Sequence, residues 1–340
     1  MGVVRPDALM DTLKLIVSYV LFPLEYVLSP ESQYFLPTYI SAGIVAIAIY
    51  FVVKRRKELP FVAAKRLLFP LRLMQHPSTK LDFKLMFVGL YYLLLQVLMI
   101  GGTTVLSVAA VVTCLNAIFG TPVHTVTAAS WPITLSSMFL VFLAVEFGYW
   151  LAHFLMHKIP FLWEFHKVHH SAEVLTPLTE WRQHPVELSI FPVLMGLASC
   201  LIQGPFVWWF GEKAFALDPL RANLMAMAFW YTILHLRHTE LPFYATGVLG
   251  KIIQAPAHHQ VHHSTNPAHY DMNMGYCLSV FDWMFGTLYV PKKGEKFKYG
   301  LGHQDDALET VVGSILTPIG RVMMMALNAV RRKKPNHAPQ

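Results

Sequence analysis

The sequence predicts an all-α, polytopic membrane protein with about four to five spanning helices and a histidine-rich cap. Two observations on composition support this fold class. The 340 residues are 55% hydrophobic and only 14% charged, whereas soluble domains carry about 25% charged residues. So few polar side chains cannot cover a water-facing surface, and lipid must cover much of it. A third observation is that most of the 17 histidines lie between 153 and 269, with eight of them in short groups of helical spacing.

The apolar segments are predicted to be helices because about 20 apolar residues are needed to cross a bilayer. The first, 12–29, is interrupted by Lys14, Pro23 and Glu25 and is expected to lie at the membrane interface. The segment 84–119 is long enough for one helix, or for a helix broken at its Gly-Gly pair. The predicted spans are 35–53, 84–119, 132–152, and the pair 186–210 and 220–237, which a polar turn joins.

The distribution of Lys and Arg predicts the orientation of these spans. The segment 54–84 and the C-terminal tail are rich in basic residues, and the loop 120–131 has none. Cytoplasmic loops carry such an excess, so 54–84 and the tail are predicted to be cytoplasmic. Following the spans from there brings every histidine-rich segment to the cytoplasmic side. The net charge of +7 is interpreted as orientation and headgroup attraction, and nucleic acid is not an expected partner.

Three histidine groups have the spacing of a helix face. Residues three and four apart are neighbours on a helix, so each group is predicted to direct its imidazoles at one point. A further candidate ligand, His238, directly follows the segment 220–237. Three more histidines are possible additional ligands: His184, His235 and His258. The groups are His153 and His157; His166, His169 and His170; and His259, His262 and His263.

A metal centre is the function that these groups predict. Buried imidazoles without partners are costly, and metal ions provide partners. First-row metals accept about four to six ligands, so the grouped imidazoles together with His238 predict two ions. Imidazole suits iron, zinc, copper and nickel alike. The HExxH pattern of zinc proteases is missing from the sequence.

Carboxylates near the groups are candidates to orient the ligands, since a ligating histidine usually donates its other N–H to a carboxylate or carbonyl. Glu146 is the strongest, because it lies two helical turns before His153 in the apolar stretch VFLAVEFGYW. An unpaired carboxylate there would be expensive. Other candidates near the groups in sequence are Glu173, Glu180, Glu240, Asp271 and Asp282.

At these residues the sequence resembles the fatty acid hydroxylase / sterol desaturase superfamily. The resemblance runs from about Glu146 to Gly286 and comprises EFGYWLAHFLMH, LWEFHKVHHS, HTE, APAHHQVHH and NMGYCLSVFDWMFGT. It implies that the three groups and His238 are the metal ligands. His184 lies in an HP element, and Asn273 matches the Asn of an NYG element in which Met274 replaces Tyr. The HTE element is more similar to the alkylglycerol monooxygenase and bacterial sterol-desaturase-like branches than to the sphingolipid 2-hydroxylases.

The resemblance implies a membrane helical bundle with a cytosolic dimetal cap that holds two iron ions, with zinc possible on isolation. Its members use dioxygen to hydroxylate or desaturate lipids, here a sterol, fatty acyl or alkylglycerol lipid. Electrons are expected from an external donor, a cytochrome b5- or ferredoxin-type protein or a reduced pterin, because no GxGxxG follows a strand. The expected domains are N-terminal membrane helices (1–130), the catalytic domain (131–300) and an amphipathic helix with a basic tail (301–340).

Two other functions fit some of these features. A membrane haem protein would pair histidines across spans rather than use triplets. A metal transporter or other non-enzymatic metal-binding protein would place its ligands within the spans, near mid-bilayer. The sequence-derived topology instead predicts that the ligands lie at one end of the spans.

Overall fold

The computed structural model describes residues 21–30, 32–54, 70–123, 126, 128–214, 224–241, 243–292, 294–302 and 305–333. Within these ranges the regular structure is helical, and the β-type pairings are two isolated bridges, Ile253 with Leu278 and Ser264 with Tyr299. The predicted all-α fold class is therefore confirmed.

The α-helices and the 3₁₀ turns follow the apolar and histidine-rich segments. The α-helices are α1 (Leu36–Lys54), α2 (Leu71–Met74), α3 (Pro77–Phe119), α4 (Trp131–Lys158), α5 (Pro160–His170), α6 (Pro185–Phe210), α7 (Leu224–Trp230), α8 (Gly247–Ile252), α9 (Pro256–His262), α10 (Val280–Phe285) and α11 (Val311–Lys333). The 3₁₀ helices are Pro177–Trp181, Glu212–Ala214, Leu234–Leu236, Pro267–His269 and Asp306–Leu308.

Four of these helices, α3, α4, α6 and α11, are long and apolar enough to cross a membrane. Their number agrees with the predicted four to five spans, although α11 comes from the segment expected to be an amphipathic C-terminal helix. Shorter apolar helices occupy Leu36–Phe51 and Leu224–Leu236. The chain is therefore an integral membrane protein.

Two predicted segments differ in detail. α3 is one continuous helix that begins at Pro77 and runs through Gly101 and Gly102, so the alternative of a break there is wrong. The span predicted over 220–237 is wrong in extent, because α7 ends at Trp230 and a 3₁₀ turn follows. The change from α-helical to 3₁₀ hydrogen bonding begins at Thr232, whose N–H donates to Phe229 O at 3.1 Å. This is the i→i−3 pattern of a 3₁₀ turn.

Several sequence predictions lie outside the described residues in whole or in part. Residues 21–28 are helical, in agreement with the second half of the predicted interfacial helix, whereas 12–20 lie outside. Residues 55–69 of the basic segment, the joining turn near 218 and the end of the basic tail lie outside as well.

The chain divides into two compact units. The first contains residues up to 69, 87–149 and 192–236, and it is built from apolar helices. The second contains 70–86, 150–191 and 237–340. All the grouped histidines and His238 belong to the second unit.

Small residues allow the helices of the first unit to approach closely. A Cβ placed on Gly148 of α4 would lie 2.7 Å from Leu194 O and 2.8 Å from Met195 Cα, which are backbone atoms of α6. A Cβ on Gly196 of α6 would lie 3.0 Å from Thr103 Cβ. Helix association in a membrane depends on such close packing, since lipid offers no hydrophobic driving force between helices.

Gly148→Ala is expected to destabilise the protein, because the added methyl meets backbone that cannot rotate away. Overpacking of this kind costs about 1–3 kcal/mol. Gly101→Ala is the matched control, since a Cβ there has nothing within 4 Å and the substitution favours a helix by about 1 kcal/mol. The measurement is the thermal unfolding midpoint in detergent, and equal shifts in the two variants would contradict the packing argument.

Candidate metal centre

The histidines are carried by two short helices and by the end of a long one. His153 and His157 lie on the last turns of α4. α5 and α9 each begin at a proline that follows an extended residue, Ile159 and Ala255 respectively. Proline suits the first helical position because its fixed φ matches the helix and its missing N–H is not needed there. These starts set the rotation of both histidine-bearing helices.

The structure brings the nine predicted ligands into two groups. Within each group, one ligand atom per residue lies within 4.8 Å of the others. All members are buried except His157, which is partly exposed. Group 1 comprises His153, His157, His166, His170 and His262, and group 2 comprises His169, His238, His259 and His263.

The grouping corrects the expectation that each triplet points at one place. Each HxxHH triplet is instead divided between the groups, and in both cases the residue at i+3, His169 or His262, is separated from the residues at i and i+4. With 3.6 residues per turn, i and i+4 lie about 40° apart around the axis, and i+3 lies about 60° to the other side of i. The two helices therefore contribute to both groups.

The imidazoles of both groups are held in the form that binds metals. Burial, with repulsion from neighbouring imidazoles, holds the pKa of six rings outside the spanning helices well below its usual value. A metal ligand must be the neutral imidazole, which is therefore the form present at neutral pH. These residues are His166, His169, His170, His259, His262 and His263.

Backbone carbonyls fix the tautomer of three ligands. Nδ1 of His153 lies 2.8 Å from Met274 O, and Nδ1 of His262 lies 2.9 Å from Met272 O. Nδ1 of His169 lies 3.2 Å from Arg182 O. A carbonyl oxygen only accepts, so each Nδ1 must carry the proton. In a neutral ring, Nε2 is then left with a lone pair.

Carboxylates do the same for three other ligands. Nδ1 of His166 lies 3.0 Å from Glu187 Oε1, and Nδ1 of His238 lies 2.9 Å from Glu180 Oε2. Nδ1 of His157 is 3.3 Å from an oxygen of Asp271. Such pairs orient the ring and increase the basicity of the other nitrogen.

The resulting lone pairs face each other. Nε2 of His153 is 3.0 Å from Nε2 of His166, and Nε2 of His238 is 3.2 Å from Nε2 of His169. Nε2 of His262 is buried without a hydrogen-bond partner among the described residues. Two nitrogens that each bind an ion at about 2.0–2.1 Å are about 3 Å apart at tetrahedral or octahedral angles. The donor set therefore fits a metal ion in each group.

Ion pairs behind the ligands keep two of the carboxylates, Glu180 and Asp271, charged. Burial acts to raise the pKa of Glu180, but the Arg237 guanidinium and His238 hold that pKa well below its usual value. Arg237 Nη2 donates to Glu180 Oε1 at 2.7 Å. Hydrogen bonds from His157 and Lys158 lower the pKa of Asp271 to about 2. These anions lie where the positive charge of bound metals would develop.

Asp282, a predicted supporting residue, holds the loop that faces His153. Its carboxylate accepts from Met274 N at 2.8 Å and from Gly275 N at 2.9 Å. It also accepts from Trp150 Nε1 at 3.1 Å and from the Thr287 hydroxyl. Burial raises its pKa to about 6 against these donors. Asp282 therefore supports group 1 indirectly, because it positions Met274, whose carbonyl accepts from Nδ1 of His153.

Asn273 supports the same loop from the middle. Its backbone has a φ of +59°, which is unusual for a residue other than glycine. The side-chain amide donates to His258 O at 3.0 Å and to Tyr289 O at 2.9 Å, and its oxygen accepts from Tyr289 N at 2.8 Å. Asn273 thereby holds the carbonyls on either side of it towards His262 and His153.

The three possible additional ligands lie outside both groups. His184 Nε2 faces Ile315 O at 2.9 Å, and its Nδ1 accepts from Val186 N at 3.1 Å. His235 Nε2 is 2.9 Å from the Thr38 hydroxyl. His258 Nε2 faces Gly250 O at 3.1 Å. These protein contacts give each ring a structural role.

Two carboxylates show the reach of sequence reasoning. Glu146 is buried on α4 in the first unit, and its support of His153 stays a prediction. Glu187, the partner of His166, was missed. A signal was present, since Glu187 is an acidic residue in the first turn of an apolar span. The cost of a buried carboxylate, applied to Glu146, predicts a partner for Glu187 as well.

The part of the chain that carries the site matches a family model. The family model described as fatty acid hydroxylase matches residues 138–287, which include both histidine groups, Asn273 and Asp282. No solved structure matches the chain.

Each of three curated relatives matches about half of the chain. Alkylglycerol monooxygenase of Xenopus tropicalis is 36% identical over 177 residues, which are 50% of this chain and 34% of that protein. The Homo sapiens alkylglycerol monooxygenase is 32% identical over 170 residues, with the same shares of 50% and 34%. The ornithine lipid hydroxylase of Rhizobium tropici is 28% identical over 171 residues, 50% of this chain and 47% of that protein.

The matched stretch thus spans a third to a half of the length of these relatives, at 34% and 47%. Residues 138–287, which match the family model, contain the histidine-bearing segments of the helices and the loop that supports them. Through residues 138–287, the chain is similar to the fatty acid hydroxylase family.

Proposed function

We propose that this protein is a membrane-bound diiron oxygenase that uses dioxygen and external electrons to hydroxylate or desaturate a lipid. The observation that carries the proposal is the convergence of neutral imidazoles with facing Nε2 lone pairs, such as His153 and His166 at 3.0 Å. The names of the relatives support the reaction class, because they are a monooxygenase and a hydroxylase of lipids. The proposed substrate is a sterol, fatty acyl or alkylglycerol lipid.

We assign one ion to each group. Five imidazoles for one ion and four for the other agree with the four to six ligands that first-row metals accept. Imidazole binds zinc as readily as iron, so the choice of iron rests on the family. We also assign supporting roles to Glu146, Asn273 and Asp282. Glu180, Glu187 and Asp271 have the same role, because each lies within 3.3 Å of a ligand's Nδ1.

The residues of this chain would hold the ions and exclude water. Iron there would supply the activation of dioxygen, so that a C–H bond, dioxygen, two electrons and two protons give an alcohol and one water. Removal of a second hydrogen would instead give an alkene and two waters. Protonated Nδ1 atoms and their acceptors would keep six of the nine rings fixed during the reaction, namely His153, His157, His166, His169, His238 and His262.

Electrons would come from a cytochrome b5- or ferredoxin-type protein or from a reduced pterin, since the sequence has no nucleotide-binding GxGxxG. The basic residues beside the spans support a cytoplasmic active site. Haem binding is disfavoured, because five imidazoles converge in one group and four in the other, whereas the porphyrin leaves only two axial positions on haem iron.

The division of the triplets can be tested with two matched double variants. His169→Ala with His259→Ala removes two ligands of group 2 and none of group 1. His169→Ala with His262→Ala takes one ligand from each group. We expect the first variant to keep one ion as tightly as wild type, whereas the second holds both ions more weakly. Metal content after dialysis against increasing chelator distinguishes the two.

The control for this test is His76→Ala, a partly exposed histidine outside both groups, which should keep both ions. Identical chelator profiles for the two double variants would contradict the grouping. They would favour one ion for each HxxHH triplet.

Asp282→Asn is expected to weaken metal binding in group 1 alone. An amide in this position turns one acceptor into a donor, which would face backbone N–H groups that the carboxylate now satisfies. Disturbing such outer contacts typically reduces metal affinity 10–100-fold, that is by about one to two decades. Chelator competition should show one weakened ion, while Asp306→Asn, at an exposed position, leaves both unchanged. Loss of both ions to the same degree would contradict this role.

The reaction itself is tested by lipid analysis under ¹⁸O₂. Membranes that contain the wild-type protein, reductant and donor should yield a lipid with one ¹⁸O atom if the reaction is hydroxylation. If it is desaturation, a lipid should lose two hydrogens without gaining label. The His169→Ala, His262→Ala variant should yield neither. Equal products from this variant and from wild type would end the proposal.

A further inference from the structure

Two short helices of the second unit expose an apolar surface that the metal centre does not explain. We call it the α8–α10 platform, and its side chains are between 47% and 73% exposed. Single exposed apolar residues are normal on a protein surface, whereas a contiguous apolar patch indicates an interaction site. The platform consists of Val248, Leu249, Ile252, Trp283, Met284 and Phe285.

The two helices form one continuous surface. The Nζ atom of Lys251 lies 5.5 Å from the centre of the Trp283 ring. Behind them, Ser279 N donates to Ile252 O at 2.9 Å, and Ile253 pairs with Leu278 in an antiparallel bridge. The apolar side chains of α8 and α10 are therefore neighbours although they lie about thirty residues apart in sequence.

The platform is fixed to the structure that supports the metal ligands. α10 has six residues, too few for a helix to be stable by itself. Its inward face carries Asp282, and the Phe285 ring stacks on Trp150 at 4.5 Å. Gly286 ends the helix in the left-handed region with a φ of +76°. The outward face is thus held in place by the same contacts that hold the loop at His153.

The charges around the platform identify the chemistry of its partner. α8 has the sequence GVLGKI and α10 has VFDWMF, so their one carboxylate is the buried Asp282 and their one cation is Lys251. Tryptophan and lysine are the residues that favour the headgroup level of a bilayer. A lysine there is attracted to anionic headgroups by about 1 kcal/mol.

We propose that the α8–α10 platform lies in the interfacial layer of the bilayer, with its apolar side chains among the upper acyl chains. The long apolar helices already hold the protein in a membrane, so a bilayer is always within reach of the platform. This contact goes beyond the proposed function, because it requires neither a bound metal nor turnover. It places the helix that carries Asp282 against lipid.

The test uses nitroxide labels in lipid nanodiscs that contain phosphatidylcholine and phosphatidylglycerol. Val248→Cys and Met284→Cys place one label on each helix of the platform, and Ala268→Cys, exposed on the 3₁₀ helix at Pro267–His269, is the control. The background carries Cys114→Ser, because Cys114 is exposed and the other two cysteines are buried. Collision rates with oxygen and with a water-soluble nickel(II) chelate are measured for each label.

We expect the labels at 248 and 284 to collide more with oxygen and several-fold less with the nickel chelate than the label at 268. Equal nickel collision rates at all three positions would overturn the proposal, since the platform would then face water. Dipolar broadening at 284 that disappears on dilution with unlabelled protein would also overturn it, because a second copy would then cover the surface. Two labels on different helices keep the test valid if one variant does not fold.

Discussion

The close approach of imidazole lone pairs is the constraint on which the second unit depends. Acceptors at Nδ1 force the protons away from the centre, and the Nε2 atoms are left about 3 Å apart, as for His153 and His166. Without a cation, the facing Nε2 lone pairs repel each other, and burial deprives them of hydrogen bonds from water. The folded state therefore has to hold these rings against their own electrostatics, and bound metal ions would turn the same arrangement into a source of stability.

The supporting contacts come from segments that are far apart in sequence. The carbonyl that faces His153 lies 121 residues away, at Met274. The carboxylate at His238 comes from Glu180, which Arg237 neutralises in turn. A chain of this kind fixes ligand geometry only when the whole unit is folded. Small changes in the loop at Asp282 and Asn273 should therefore be felt at the metals through backbone positions rather than through direct contact.

The same unit also has a side that faces outward. α10 carries Asp282 inward and Trp283 and Met284 outward, so six residues connect the support of His153 with the proposed lipid-facing platform. For an enzyme acting on a membrane lipid, this arrangement would keep the metal ligands buried while the surface around them remains apolar. The helices of the first unit solve a different problem, since glycines such as Gly148 and Gly196 let them pack without a hydrophobic driving force.

The sequence by itself determined that the protein is a helical membrane protein, and it predicted nine candidate ligands. Apolar length and histidine spacing are local patterns, and local patterns are set by helix geometry. Only the tertiary structure decided that His169 and His262 leave their triplets, that Glu187 supports His166, and that His184, His235 and His258 bind protein groups instead. The physical reason is that the rotation of each short helix, and the partner of each Nδ1, depend on contacts between distant segments. Such contacts leave no periodic trace in the chain.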